Sequence, residues 1–519
     1  MKALPVCISN REEWKGRGRM KTGRRLAAIL AAAMLLAGAG CTSGQGETSG
    51  ETAKTVKLDP NNPVSITLWH YYNGSQKNAL TDMVEEFNKT DGRDKGIVVE
   101  AVNLGSITEL KNSILDSAAG KVGSDPVPNI FAAYADTAYQ IDSMGLVTDL
   151  SQYLTQAEID SYIPSYIEEG RMGKDNALKI FPTAKSTEVF MLNRTDWDTF
   201  AAATGADIGN LSTIEGVTAT AKAYYEWTDS LTPEVKDDGK AFFGRDAVAN
   251  YFIIGCRQLG AEIFQVKDGA VTFQLEESML RRLWDNYYVP FIHGYFAANG
   301  KFRSDDAKVG DILALVGSST TASYFPAAVI KGDKDSYDIK ATVLPAPRFE
   351  GGRPYAVQQG AGMVVTNSTA EKEFASVEFL KWFTQADRNL SFSVSSGYLP
   401  VKKEANTMEK LETAIAKLGQ DTISENTKAC LKVSMQTVLD CNLYTNRAFS
   451  GGNEARNVLE TTLTNLLKTD GAKVAEKVKA GVSRGEAAAA LTTDEHFREW
   501  TASLRKALDA AVSSASAQG

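Results

Sequence analysis

Between residues 64 and 133 the chain switches back and forth between strand-like and helix-like periodicity, and few architectures accept that order. Residues 64–69 alternate apolar and polar side chains with the period of a strand. Asn73, Gly74 and Ser75 supply helix-starting types, and Leu80, Met83, Val84 and Phe87 then fall on one helical face. Residues 97–102 read as a second strand, Ile107, Leu110 and Ile114 mark a second helix, and residues 129–133 make a third strand. Strands joined through helices pair in parallel, and the crossover helices cover the faces of the sheet. The pattern predicts an α/β fold. In such sheets ligands bind beyond the carboxyl ends of the strands.

Strand-like signals return at residues 339–344 and 362–366, while residues 190–335 are mostly helical with turn-rich interruptions. From residue 404 onward the chain reads as helix. Val458, Leu459, Thr462, Leu463, Leu466 and Leu467 form one apolar stripe, and Phe497, Trp500, Leu504 and Leu508 form another. Such stripes face a core. A chain of 519 residues exceeds one ordinary domain and can build two or three cores.

The N-terminal region has a different character. Residues 20–25 are basic, residues 26–39 are apolar or small without interruption, and Gly40 and Cys41 follow. This is the layout of a secretory signal rather than of a spanning helix. Glu12 and Glu13 precede it, so Met20 is the expected start and residues 1–40 the expected signal peptide. The cysteine at its end resembles the lipobox of bacterial lipoproteins, with Gly38 standing where a leucine is usual. Cys41 is therefore the expected lipidation site, attached to the outer face of a bacterial cell membrane. Residues 41–57 read as a flexible tether.

Residues 41–519 carry 48 basic and 62 acidic side chains, a formal charge of −14. An acidic exported chain is a poor partner for nucleic acid or an anionic membrane surface. Cys256, Cys430 and Cys441 are odd in number and lack metal-ligand spacing, so buried free thiols are expected. His70, His293 and His496 lie far apart, His293 among apolar neighbours, and no phosphate-binding loop is present. The expectation is no metal, no cofactor and no ATP hydrolysis by this chain.

Four blocks carry a family resemblance. The first is residues 66–74 with Phe87, Asn88 and Lys89 behind them; the second is Phe181 and Pro182 followed by residues 188–194. The third is residues 343–347 with Gly360 and Gly362; the fourth is residues 379–382 with residues 396–401. Together they resemble the extracellular solute-binding proteins of family 1, the carbohydrate-type, maltose-binding-protein-like binders of ABC importers. Leu192, Asn193 and Arg194 stand where the family usually shows Tyr, Asn and Lys. The resemblance implies a two-lobed periplasmic-binding-protein-like fold, each lobe a mainly parallel sheet flanked by helices. Lobe one would hold residues 58–184 and 343–398, and lobe two residues 185–342 and 399–519. Hinge crossings would fall near residues 184–188, 344–347 and 399–402.

A sugar presents hydroxyl edges and weakly apolar faces, which planar polar groups and aromatic rings hold. Trp69, Tyr71, Tyr72 and Asn73 cluster where the first strand gives way to its helix. Tyr134 and Asp136 follow the third strand, where Asp136 either accepts from two hydroxyls or caps a helix. Lys185, with Ser186 and Thr187, lies at the first crossing; Ser318 and Tyr324 bound a hydroxyl-rich loop; Gln359, beside Gln358, and Tyr398 precede other crossings. Arg257, Trp227 and Arg447 are weaker candidates. The expected function is capture of a mono- or oligosaccharide by a monomeric, non-enzymatic lipoprotein that delivers it to an ABC importer permease. The alternatives are a non-sugar solute (an amine, a phosphorylated polyol or a short peptide), a surface-anchored glycan-degrading enzyme, or a solute sensor.

Overall fold

The computed structural model describes residues 53–267, 269–331, 335–418 and 423–516. The expected signal peptide and Cys41 lie outside the described residues. The end of the expected tether rests on the body: the Lys54 backbone N–H donates to the Gln152 carbonyl at 2.7 Å and its Nζ to the Tyr153 hydroxyl at 3.2 Å.

Eight strands build two four-stranded sheets. In chain order they are β1 (Val64–His70), β2 (Ile97–Asn103), β3 (Ile130–Ala133), β4 (Glu188–Asn193), β5 (Phe243–Arg245), β6 (Ala314–Ser318), β7 (Ala341–Pro345) and β8 (Gly362–Val365). The first sheet has the order β8-β3-β1-β2. Its three N-terminal strands are parallel, with Val64 opposite Ile97 and Leu68 opposite Ile130, and β8 runs antiparallel to β3. The helix Gly74–Lys89 buries Leu80, Met83, Val84 and Phe87, the face its spacing marks out. Phe87 meets the edges of Phe379 and Trp382 at 5.1 Å each, joining β1's helix to a later one. Ser106 and Glu109 form a reciprocal cap on the helix Ile107–Ala118, satisfying two N–H groups its first turn would leave bare.

The second sheet has the order β7-β4-β6-β5. Here β4 is antiparallel to both β6 and β7, and only β5 and β6 are parallel. The expectation of parallel pairing thus describes the first sheet, while the second is mixed. The reason is connectivity: β4 arrives from a segment leaving the first sheet, without the helical crossover that enforces parallel pairing. Its core gathers the stacked Phe190 and Phe243 rings, the helix Val248–Gln258 and the long C-terminal helices Gly452–Lys479 and Asp494–Ser516.

The two halves meet through short paired segments. Lys185 pairs with Leu399 and Ser186 with Gln359, each as an isolated antiparallel bridge. Asn389 clips them together, donating from Nδ2 to the Thr183 carbonyl at 2.7 Å and accepting the Val401 N–H at 2.9 Å. Residue 343 falls inside β7, which pairs with β4 in the second sheet. Arg348 pairs with Thr213, and Phe349 is buried in the second core against Tyr251, so the chain stays with the second sheet until residues 358–361.

Candidate functional site

Helices and crossings leave a cleft of about 1700 Å³ between the two halves. Tyr71, Asn73 and Gln76, just past β1, and Tyr134, just past β3, form one wall. These are carboxyl ends of parallel strands, where an α/β sheet leaves loops free. Ser186, Gln359 and Tyr398 lie on the crossings, and Ser318, Thr320 and Tyr324, at and beyond the end of β6, belong to the opposite wall.

The first wall is aromatic and hydroxyl-bearing. The Tyr71 and Tyr398 hydroxyl oxygens are 3.3 Å apart. Burial pushes both phenols well above their usual range, so each keeps a proton to donate. Tyr134 is 41% exposed and presents its ring. Asn73 donates to the Tyr71 and Gly105 carbonyls at 3.0 and 2.8 Å, fixing the loop that carries Tyr71. Across the cleft, Ser318 Oγ accepts the Thr320 N–H, and Tyr324 stands exposed.

Four of the residues singled out from sequence lie behind the cleft surface. Trp69 and Tyr72 are buried in the first core, Tyr72 packing on Phe392 and Tyr398. Neighbouring residues of β1 are buried on both faces, so alternation does not separate inward from outward rings there. Asp136 is buried in the first turn of the helix Ala135–Ser143, where burial first of all, opposed by Arg456, pushes its carboxyl up to about 6. Lys185 is fully buried, donating to Glu169 and to the Gly360 carbonyl at 2.7 and 2.8 Å.

Of the weaker candidates, Arg257 lies over Tyr355 and Tyr444, Trp227 packs against Phe200, and Arg447 reaches Glu168. Gln358 donates to Ser165 and Glu169. The residues that sequence reasoning missed form a buried network below the cleft. Glu188 accepts from Arg245 Nη2 at 2.7 Å and from Asn250 Nδ2 at 3.0 Å. The same Asn250 amide donates to Gln359 Oε1 at 3.0 Å, and Arg456 donates to Asn250 Oδ1 at 2.9 Å. The network therefore holds Gln359, at a crossing, through side chains of the second half. Its members are some 270 residues apart in sequence, between Glu188 and Arg456, and no local motif connects them.

His70 sits beside this wall, its Nδ1 accepting the Tyr72 N–H at 3.2 Å. Burial, aided by Lys77, lowers its pKa from 6.5 to about 4, so the ring is neutral in the fold. A depressed value means stability that is complete above pH 6.5 and lost as pH falls toward 4. His70→Asn keeps a side-chain acceptor without the titration. It should flatten the fall of urea stability across that window by about 2 kcal/mol; an unaltered slope assigns the acid limb to other groups.

Among the described residues no group of three His, Cys, Asp or Glu side chains is placed to hold a metal ion. Cys256 and Cys430 are buried free thiols and Cys441 is a half-buried one. His293 is half-buried and stacks on Tyr295, with a ring separation of 5.4 Å.

Residues 82–418 match the family of bacterial extracellular solute-binding proteins, and the match spans well over half of the chain. The chain belongs to that family. Solved structures of extracellular solute-binding proteins share its architecture. A cyclic α-maltosyl-1,6-maltose binding protein from Arthrobacter globiformis superposes with a TM-score of 0.61 at 17% identity, covering 87% of this chain and 99% of that one. UgpB from Mycobacterium tuberculosis, in complex with glycerophosphocholine, gives 0.60 at 17% identity, covering 86% and 98%. The GacH receptor of Streptomyces glaucescens, solved unliganded and with acarbose, gives 0.59 at 15% identity, covering 86% and 98%. At such identities the likeness shows the two-lobed fold. No curated protein sequence matches this chain. Solute-binding proteins of this kind bind and deliver solutes to ABC permeases, and no helix among the described residues is long and apolar enough to cross a membrane.

Proposed function

We propose that this solute-binding protein captures a saccharide in the cleft and delivers it to an ABC importer permease. The observation that carries the reading is the lining of the cleft: Tyr71, Tyr134 and Tyr398 offer rings beside hydroxyls, and Gln359, Asn73 and Ser318 offer planar or hydroxyl partners. Rings take the C–H faces of a pyranose, and the polar groups take its edge hydroxyls. The A. globiformis and S. glaucescens structures, whose names and complexes are of oligosaccharides and acarbose, support the same class.

In this reading residues 58–184 and 358–398 form one lobe, and residues 185–357 and 399–519 the other. The paired segments at 184–187, 358–361 and 399–402 are the hinge, and the ligand favours closure because the closed state makes contacts to both walls. Cys41 carries the lipid, residues 41–57 tether the chain to it, and the protein works as a monomer without turning its ligand over. Trp69, Tyr72, Asp136 and Lys185 support the wall from behind, whereas the exposed Tyr134 and Tyr324 meet ligand directly.

The test is Tyr134→Ala. Because the ring is exposed, the change should leave the fold intact and weaken saccharide binding by about 2 kcal/mol, roughly 30-fold. Calorimetric titration reads this directly. Unchanged affinity in the folded variant removes Tyr134 from the site. A polyol phosphodiester is the second reading, favoured by the glycerophosphocholine complex of the M. tuberculosis structure.

A further inference from the structure

The two walls of the cleft differ in charge. Tyr71, Asn73, Gln76 and Tyr134 make the first wall without an ionisable acid or base of ordinary range. Seven cationic and four anionic side chains line the cleft, all of them outside that first wall. Two of the cations are spoken for: Arg245 pairs with Glu188 at 2.7 Å, and Arg303 pairs with Asp306 and Asp246. Among the described residues, Lys240, Lys301, Lys331, Lys468 and Arg484 make no ion pair with any carboxylate. Of the remaining acids, Glu460 accepts the Ala249 N–H and Asp311 accepts from Asn299.

A chain whose residues 41–519 carry a formal −14 thus turns an excess of positive charge toward its own cleft. A cleft lined by one sign of charge focuses its field and concentrates ligands of the other sign. Arg484 marks the site most closely. It is half-buried, its guanidinium lies over Tyr225 at 5.9 Å, and its Nε is buried without a hydrogen-bond partner. Gly294, at φ +82°, makes room for it; a Cβ there would stand 3.1 Å from Arg484 Nη1. Side-chain N–H groups kept dry and unpaired are costly unless a ligand completes them.

Resting on saccharide capture, we propose that the natural ligand is an anionic oligosaccharide, carrying carboxylate or sulfate groups. Its sugar faces lie on Tyr71 and Tyr134, and its acidic groups point to Arg484, Lys468 and Lys301. The size of the cleft and the spread of the cations over separate loops and helices favour several acidic groups on one extended chain over a single small phosphodiester.

The experiment is calorimetric titration of the purified protein with four probes: tri-galacturonate, a sulfated heparin disaccharide, maltotriose and glycerophosphocholine. Each is run at about 0.02 M and about 0.5 M salt. The expected result is that at least one acidic saccharide binds about 100-fold more tightly than maltotriose and loses about tenfold at high salt. Which of the two wins separates carboxylate from sulfate. Lys301→Gln with Lys468→Gln, both on exposed side chains, should cost that probe about tenfold and reduce its salt dependence. Arg484→Gln should cost at least as much, and the double variant remains the test if this one fails to fold. Equal, salt-insensitive binding of maltotriose overturns the anionic ligand while leaving saccharide capture standing. Binding of glycerophosphocholine alone overturns saccharide capture itself, and binding of none of the four overturns the inference.

Discussion

Asp470→Ala should lower the stability of the chain by about 4 kcal/mol, the largest single effect expected outside the apolar cores. Asp470 lies on the helix Gly452–Lys479 with no exposed surface. The Tyr288 hydroxyl donates to its Oδ2 at 2.7 Å, His496 Nε2 lies 2.7 Å from the same oxygen, and Lys473 donates to Oδ1 at 2.8 Å. One carboxylate thereby ties three helices of the second core, Tyr288–Ile292, Gly452–Lys479 and Asp494–Ser516. Tyr288 also stacks on Trp284 at 3.6 Å, so a freed hydroxyl cannot turn to solvent without breaking that stack. Truncation leaves the Tyr288 hydroxyl only the Leu491 carbonyl at 3.4 Å and takes the partner from Nε2 of His496.

The acid response adds a second readout. Burial alone would raise the Asp470 carboxyl, but bonds from Lys473, Tyr288 and His496 outweigh it and hold it below the usual value of 3.8. A depressed carboxyl contributes stability that is present above the unfolded value and lost as pH falls through the folded one. Asp470→Asn should therefore be hurt at neutral pH and begin to converge on the parent protein only as pH falls below 3.8. Urea midpoints at both pH values decide it. Equal midpoints at pH 7 would mean the carboxylate contributes nothing net.

Lys185→Met should cost about 3 kcal/mol and loosen the junction between the halves. The ammonium is buried against Glu169 at 2.7 Å and the Gly360 carbonyl at 2.8 Å, and Glu169 is itself nearly inaccessible. Methionine refills the space of the stem but leaves the carboxylate with Gln358 as its remaining side-chain donor. Lone buried charge, rather than lost packing, sets the size of the effect. The double variant Lys185→Met, Glu169→Gln should thus recover part of the loss. Chemical denaturation of the two proteins is the check, and a double variant no more stable than the single one assigns the loss to packing.

Much of the first sheet is legible in the sequence because its periods are clean. Residues 64–69, 97–102 and 130–133 lie on β1, β2 and β3, one residue short of the expected start at 129, and Leu80, Met83, Val84 and Phe87 turn the way their spacing says. Tyr71, Tyr134 and Tyr398 reach the cleft by following strands or preceding a crossing, positions a reader can mark. Trp69 and Tyr72 could not be sorted from Tyr71, since helices and loops cover the sheet on both sides and bury Leu68 and Trp69 alike. Pro345 and Pro347 look like the end of a lobe, yet the burial of Phe349 against Tyr251 keeps the chain with the second sheet for a dozen residues more. Lys240, Lys301, Lys468 and Arg484 were invisible as a group, because they converge from four segments that only the folded second half brings together.

Saccharide binding in the cleft is open to direct measurement. The most direct measurement is the melting temperature of the purified protein against neutral and acidic oligosaccharides, amino acids, polyamines and short peptides. A ligand that binds only the folded chain raises the melting temperature as its concentration rises. The expected result is a concentration-dependent rise confined to related saccharides and reduced by Tyr134→Ala. A rise with amines or peptides, and none with any saccharide, would contradict it.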